Sequence, residues 1–313
     1  MKRRIKNLVA GAAVGATLLG GVAFFFYRRL HKITFIPDPP SRSLNTAEWQ
    51  ESPSFDSLRI LYVGHSLIGT EAPAMAGAVA RSLGIEWSHD VQLTDGGSLE
   101  VNWNRAQEAA GVNAAEALDT GDYDVVVLTE AVILDDHLRW SDSSGYADLF
   151  YQRALASRDD IRLLFFEGWH DRHDPRTRFG LTTPPEWRLW IDDDLGKWES
   201  IVDGTSMHEQ VRIIPGGQAM ARLSDALEGG EIPGDLALDA FFVDGVHLSA
   251  LGNYYMALVH VSAIARRSPV GATNRVPHNE GEGWEIPADV AEALQELAWR
   301  CVRGYPRSGV LRP

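Results

Sequence analysis

Two short motifs carry the residues that could do chemistry. An apolar run over residues 60–63 is followed by Gly64, His65 and Ser66. Far along the chain, Asp244 stands three residues before His247, just ahead of a helix-like segment. A serine can act as a nucleophile, a histidine as its base and a carboxylate as the group that orients the histidine. The two motifs together predict acyl transfer to Ser66, with His247 as base and Asp244 as its partner.

Each motif alone is weak evidence. A serine after a strand is more often a helix cap, and an isolated Asp-x-x-His is more often structural. The segment from Gly64 to Gly69 is not the G-x-S-x-G elbow of α/β-hydrolases, because its second glycine comes one residue late. At the carboxyl end of a strand, however, Ser66 would point into the usual ligand crevice, and its N–H could bind an oxyanion.

Together the motifs resemble those of the SGNH (GDSL-like) hydrolase family, over roughly residues 56 to 270. In that family a G-D/N-S block supplies the nucleophile and an Asp-x-x-His block near the C-terminus completes the triad. Here Gly64-His65-Ser66 and Asp244–His247 fill those two blocks. The second block resembles residues 91–98, and the resemblance implies that the N–H of Gly97 binds the oxyanion.

The chain departs from the family at two places. His65 stands where Asp or Asn usually braces the turn. The third block normally has an asparagine that completes the oxyanion hole, but the segment after residues 124–128 has none, and Ala131 falls near that position. Loss of one such donor costs about 3 kcal/mol in transition-state binding. Glu130 is interpreted either as a brace for the Ser66 loop, as a substrate contact, or as a solvated acid.

Alternating apolar runs and helix-like stretches predict an α/β fold, a three-layer αβα sandwich with a mostly parallel, flavodoxin-like sheet of about five strands. The predicted strands are Ile60–Val63, Val91–Leu93, Val125–Leu128, Ile161–Phe166 and Val211–Ile214. The predicted helices are Ala74–Leu83, Ala106–Leu118, Leu248–Arg266 and Ala288–Val302.

Residues 169–204 are rich in tryptophan and proline and are predicted to be an insertion over one edge of the site. Its tryptophans could stack on a sugar ring, although anchoring the insertion to the core is the commoner role. Trp169 and His170 follow a predicted strand and could line the mouth of the pocket. His170 and His173 have metal-ligand spacing, but no second cluster completes a zinc site. We therefore predict neither a metal nor a cofactor.

The distribution of charge separates the N-terminus from the rest of the chain. The formal net charge is -14, yet the first 32 residues carry seven Lys or Arg and no acid, so the remainder has 22 basic and 43 acidic residues, a balance of -21. Such an acidic body argues against nucleic acid as a partner. The single cysteine, Cys301, excludes an internal disulfide.

Residues 8–26 form an uncharged run of nineteen residues that ends in three phenylalanines. This length suffices to span a bilayer as a helix, and no small-residue cleavage site follows it. We expect a membrane anchor at residues 1–32 with a transmembrane segment at about 8–27, a linker at 33–55 and a hydrolase domain at 56–313. The domain is expected to be exported, in a periplasmic or other extracytoplasmic location, although the flanking charges scarcely decide orientation.

Three functions are compatible with these patterns. The first is a membrane-anchored serine esterase that removes an acyl group, such as acetyl, from a carbohydrate or lipid-like ester. The second is an acyltransferase that uses the same triad on a glycan. The third is a catalytically weak glycan-binding protein, which the missing asparagine favours and the complete set of Ser66, Asp244 and His247 opposes.

Overall fold

The computed structural model describes residues 55–173, 187–278 and 283–310. A six-stranded sheet has the order β3-β2-β1-β4-β5-β6. Neighbouring strands are parallel except for the β2–β3 pair at one edge, which is antiparallel. The strands are β1 (Ser57–Gly64), β2 (Glu86–Leu93), β3 (Ala110–Gly111), β4 (Val125–Leu128), β5 (Arg162–Phe166) and β6 (Arg212–Ile214). A separate two-stranded antiparallel sheet pairs β7 (Arg275–Val276) with β8 (Trp284–Glu285).

Helices connect the strands and cover both faces of the sheet. Among the described residues the helices are, in chain order, α1 (Glu71–Ser82), α2 (Leu99–Asn104), α3 (Ala114–Leu118), α4 (Leu134–Trp140), α5 (Ser143–Ser157), α6 (Trp187–Asp203), α7 (Gly216–Glu228), α8 (Ala250–Ile264) and α9 (Ala288–Gly304). Apolar residues of α1, α7, α8 and α9 pack on one face, and those of α3, α5 and most of α6 pack on the other. The fold is therefore the predicted three-layer α/β sandwich.

The central strand β1 shows why the sheet carries two cores. Successive side chains of a strand point to opposite faces. Leu58, Ile60 and Tyr62 accordingly enter the core with α1 and α8, whereas Leu61 and Val63 enter the core with α5. All five are essentially inaccessible to solvent. A strand buried on both faces reads as a continuous apolar run, which is the pattern found in the sequence.

The five predicted strands are all present, but the prediction of a helix over residues 106–118 is wrong. That segment contains a short 3₁₀ turn at Ala106–Glu108, the edge strand β3 and then the short helix α3. Gly111 has a φ of +91°, and a Cβ there would lie 1.9 Å from the Val91 carbonyl oxygen. The close antiparallel approach of β3 to β2 therefore requires glycine and interrupts the helix.

The sheet topology brings three loops to one edge. β1 lies between β2 and β4, so the loops at their carboxyl ends meet around the residue that follows β1. Gly64 permits this approach, because a Cβ there would lie 2.5 Å from the Thr129 side chain. In the described part of the chain no helix is long and apolar enough to cross a membrane. The predicted transmembrane segment 8–27 and residues 33–54 of the predicted linker lie outside the described residues.

Candidate active site

Ser66 lies in the turn that follows β1. The carbonyl of His65 accepts hydrogen bonds from the N–H of Ile68 at 3.0 Å and of Gly69 at 3.2 Å. Gly69, with a φ of +56°, completes the turn before α1 begins. This tight turn places a partly exposed serine hydroxyl at the carboxyl edge of the sheet.

Asp244 and His247 lie in a short loop before α8. One oxygen of the Asp244 carboxylate accepts hydrogen bonds from the N–H of Val246 at 2.8 Å and of His247 at 2.7 Å. The other oxygen lies 2.7 Å from His247 Nδ1. An aspartate that bonds the backbone two and three residues on favours such a turn. The loop therefore fixes both the carboxylate and the imidazole before any substrate is bound.

The structure brings Ser66 and His247 together. Ser66 Oγ lies 3.0 Å from His247 Nε2. Because Asp244 takes the proton-bearing Nδ1, Nε2 of the neutral imidazole is left to accept the serine proton. Burial raises the pKa of Asp244, but the backbone and side-chain hydrogen bonds from His247 and the N–H of Val246 outweigh it and lower the pKa to about 2. The carboxylate is therefore ionised at neutral pH.

His65 braces the nucleophile turn. Its Nε2 donates a hydrogen bond to the Glu130 carbonyl at 3.0 Å, and its Nδ1 accepts from the N–H of Leu67 at 3.4 Å. Burial lowers the pKa of His65 to about 4, so the ring is neutral and can play both roles at once. The imidazole thus ties the Ser66 turn to the loop after β4, at the position where related sequences are expected to have Asp or Asn.

The side chain of Glu130 accepts hydrogen bonds from backbone N–H groups and is not exposed to a substrate. Its side chain is fully buried, and one carboxylate oxygen accepts hydrogen bonds from the N–H of Ala131 at 2.7 Å and of Leu99 at 3.3 Å. Burial raises the pKa of Glu130 to about 7. Of the three interpretations of this residue, the structure favours the brace, since Glu130 joins the loops after β2 and β4. Ala131 is also fully buried.

Gly97 already uses the N–H that was predicted to bind the oxyanion. It donates to the Thr94 carbonyl at 2.8 Å and closes a turn. An oxyanion role for Gly97 therefore requires this bond to be shared or released. The N–H of Ser66, in contrast, has no hydrogen-bond partner within the described residues.

Asn102 is a buried residue of the site that the sequence analysis missed. Its Nδ2 donates to the Gly64 carbonyl at 3.0 Å and to the Ser98 carbonyl at 3.1 Å, and its Oδ1 accepts from Thr94 Oγ1 at 3.2 Å. The amide thereby locks the end of β1 to the loop after β2. The available signal was an asparagine four residues after the helix-capping Ser98, a spacing that returns its side chain to the start of the helix.

Trp169 and His170 lie behind the site and do not line its mouth. Trp169 is fully buried, and its Nε1 donates to the Val246 carbonyl at 2.9 Å, which supports the Asp244–His247 loop. His170 is 3% exposed, stacks on Trp190 at 4.4 Å between ring centroids, and has its Nε2 2.5 Å from Asp194. Both side chains are therefore buried in the protein interior, held by these contacts, which corrects the expectation that they line the pocket.

The other described tryptophans of segment 169–204 are also packed. Trp198 lies against Phe165, and Trp187 donates from Nε1 to the His170 carbonyl at 2.7 Å. These contacts favour the anchoring role over sugar stacking for this segment. Residues 174–186 of the segment lie outside the described residues. Across 55–173, 187–278 and 283–310, no group of His, Cys, Asp and Glu is arranged to hold a metal ion.

No family model and no curated protein sequence matches the chain. Among solved structures it is similar to a DUF4886 family protein from Bacteroides uniformis, with a TM-score of 0.52 and 18% identity over 80% of this chain and 96% of that one. It is also similar to family 3 carbohydrate esterases from Clostridium thermocellum and Talaromyces cellulolyticus. Their TM-scores are 0.41 and 0.42, each at 13% identity over 67% of this chain and 98% and 97% of theirs. The first likeness shows the fold.

Proposed function

We propose that this protein is a serine esterase of the SGNH type, with Ser66 as nucleophile, His247 as general base and acid, and Asp244 as the group that orients His247. The observation that carries the proposal is the continuous chain of contacts from Ser66 Oγ to His247 Nε2 at 3.0 Å and from His247 Nδ1 to Asp244 at 2.7 Å. A binding protein would have no need of this arrangement.

The reaction follows from these contacts. Ser66 Oγ attacks the ester carbonyl while its proton passes to His247 Nε2. The tetrahedral intermediate collapses when His247 returns that proton to the leaving alcohol, which departs and leaves an acyl-Ser66 ester. Water then attacks the acyl carbon and gives its proton to His247, and the carboxylic acid leaves as Ser66 recovers its proton. Asp244 stabilises the imidazolium in both half-reactions, and no cofactor takes part.

The oxyanion of each intermediate needs donors at hydrogen-bond distance. The N–H of Ser66 is the leading candidate because no described residue engages it. The N–H of Gly97 becomes a second donor when its bond to Thr94 is shared. With no asparagine after β4, the proposed oxyanion hole depends on backbone donors more than the related enzymes are expected to.

The openness of the site bears on the substrate. The side chains of His247 and Asp244 are 42% and 51% exposed, so the triad lies at the surface and not in a deep tunnel. Such a site suits a small acyl group, such as acetyl, on a bulky alcohol. Ready access of water favours hydrolysis over acyl transfer to a second alcohol.

The direct test is labelling of the purified protein by a fluorophosphonate, which modifies an activated serine. The wild type should be labelled at Ser66, and Ser66→Ala should not be labelled. Ser57→Ala is the matched control, because Ser57 is an exposed serine at the other end of β1. Labelling of Ser66→Ala as strongly as the wild type would rule out the proposed nucleophile.

We also propose that residues 1–32 anchor the enzyme in a membrane, with the catalytic domain exported. The support is the uncharged run over residues 8–26, flanked by basic residues. Full-length protein should fractionate with membranes, and deletion of residues 1–32 should release it. A mature N-terminus beyond Tyr27 would show that the segment is cleaved and would contradict the anchor.

A further inference from the structure

A second concave surface lies next to the loops that surround Ser66. Helices α2 and α4 form the walls of a cavity of about 550 Å³, which we call the α2–α4 cavity. α2 follows β2 and α4 follows β4, and β1 lies between these strands, so both walls of the cavity start from the sheet edge that carries Ser66. Its volume is in the range of small-molecule sites, roughly 300–1,000 Å³.

Contacts connect the cavity to the catalytic turn. His137 lines the cavity, and its Nδ1 lies 3.9 Å from the Glu130 carboxylate. The Glu130 carbonyl in turn accepts the hydrogen bond from His65, the residue directly before Ser66. On the other wall, Ser98 lines the cavity one residue after Gly97. The cavity and the catalytic turn are thus joined through Glu130 and through the Gly97–Ser98 loop, and we expect a ligand in the cavity to extend toward the ester group held at Ser66.

The environment of Trp140 differs from that of two other tryptophans of the chain. It lines the cavity and is partly exposed. Within the described residues its side chain has no hydrogen bond and no ring partner. By contrast, Trp103 packs edge-on against Phe150, and Trp299 lies under the Arg303 guanidinium. Trp140 thus offers a large apolar ring that packing has not used.

The polar lining indicates the charge of the ligand. The cavity carries the carboxylates of Glu100 and Asp136 together with the guanidinium of Arg105. Glu100 is held by a 2.7 Å hydrogen bond from Ser141, which also lines the cavity. The two carboxylates outnumber the one guanidinium, which disfavours an anionic ligand, and the lining as a whole both donates and accepts hydrogen bonds. A neutral ligand with many hydroxyl groups and one apolar ring face satisfies both features.

We propose that the α2–α4 cavity binds a neutral sugar ring, stacked on Trp140, that belongs to the alcohol part of the ester. The position of this sugar relative to the scissile bond rests on the proposed esterase function. Sugar binding itself does not, because it depends only on the cavity. The two claims can therefore fail separately.

The first experiment measures binding without turnover. Ser66→Ala protein is titrated with cellotetraose, xylotetraose and chitotetraose, and binding is followed by tryptophan fluorescence and by saturation-transfer NMR. At least one oligosaccharide should bind, and adding Trp140→Ala should weaken that binding about tenfold, the effect expected for loss of one aromatic contact in a solvent-exposed site. Trp299→Ala, which removes a partly exposed tryptophan from α9, should leave the binding unchanged. Absence of binding by all three oligosaccharides, or equal binding with and without Trp140, would overturn the inference.

The second experiment uses the otherwise wild-type chain and compares two substrates, p-nitrophenyl acetate and the O-acetylated form of the oligosaccharide that binds. Trp140→Ala should lower the ratio of kcat/KM for the oligosaccharide to kcat/KM for p-nitrophenyl acetate about tenfold, mainly through KM. An unchanged ratio would contradict the placement of the sugar next to the ester. If neither ester is cleaved by the wild type but sugar binding still requires Trp140, the esterase proposal fails and the sugar site stands.

Discussion

Ser66 Oγ and His247 Nε2 lie 3.0 Å apart although 181 positions separate the two residues in the chain. Ser66 is positioned by the end of β1, and His247 by the loop that leads into α8. These elements meet because α8 packs against α1, which follows the Ser66 turn. The contact is therefore a product of the tertiary fold, and its consequences can be tested one residue at a time.

The triad should respond as a unit. Ser66→Ala and His247→Ala should each reduce kcat for p-nitrophenyl acetate about 10³-fold or more, because either change removes the activated nucleophile. Asp244→Asn should also lower kcat strongly, since the amide can hold His247 in the wrong tautomer. The double variant Ser66→Ala/His247→Ala should be hardly worse than either single variant. Additive losses in the double variant would mean that the two side chains do not act together.

His65 should matter for both stability and turnover. His65→Ala removes the donor to the buried Glu130 carbonyl and should lower the free energy of unfolding by about 1–3 kcal/mol. His65→Asn keeps a donor in the turn and should retain more of both stability and kcat. Urea unfolding and p-nitrophenyl acetate turnover measure the two effects. Equal behaviour of the Ala and Asn variants would show that the hydrogen bond is not what His65 contributes.

Trp169 should act through the loop that it supports. Trp169→Phe keeps most of the buried ring but loses the Nε1 hydrogen bond to the Val246 carbonyl. Because Val246 lies between Asp244 and His247, kcat should fall while KM for p-nitrophenyl acetate changes little. The matched control is Trp198→Phe. Trp198 is another buried tryptophan, and it packs on Phe165 in the core on the α5 face of the sheet. A rise in KM with unchanged kcat in Trp169→Phe would place this residue in substrate binding instead.

The sequence was sufficient where the pattern is local. The run from Ile60 to Val63 is buried on both faces, so its continuous apolar character identifies a central strand. Asp244 and His247 are three residues apart, and a turn of that length lets the carboxylate reach the imidazole. Both features depend on residues that are close in the chain, so both can be recognised from the amino-acid sequence alone.

The rest of the site depends on contacts between distant segments. His65 bonds a carbonyl 65 positions away, so its place in the turn suggests a brace but the residues near it do not reveal its partner. Asn102 donates a hydrogen bond to the carbonyl of Gly64, which lies 38 positions earlier in the chain, and this contact also depends on the tertiary fold. The prediction of a helix over residues 106–118 failed for the same reason. The conformation of Gly111 is set by the close approach of the Val91 backbone, which is distant in the chain, and not by local helix propensity.

Glu167 gives the sharpest expected pH dependence of stability. It is fully buried at the end of β5, and its carboxylate accepts a 3.2 Å hydrogen bond from the N–H of Gln218. Burial raises the pKa of Glu167 from 4.5 to about 8. Between these two values the folded protein holds the proton and the unfolded chain does not. The stabilisation from protonated Glu167 is therefore complete below about pH 4.5 and is lost as the pH rises toward 8.

Glu167→Gln keeps the shape of the protonated acid and has no charge to bury, so it should remove this loss. The free energy of unfolding of the variant minus that of the wild type should increase by more than about 2 kcal/mol between about pH 5 and about pH 9. Urea unfolding at several pH values measures the difference, in which contributions from other titrating groups such as Glu130 cancel. Glu296→Gln, at an exposed position on α9, is the control for loss of a surface carboxylate and should show no comparable increase. A pH-independent difference for Glu167→Gln would mean that Glu167 is ionised in the folded protein and finds a cationic partner there.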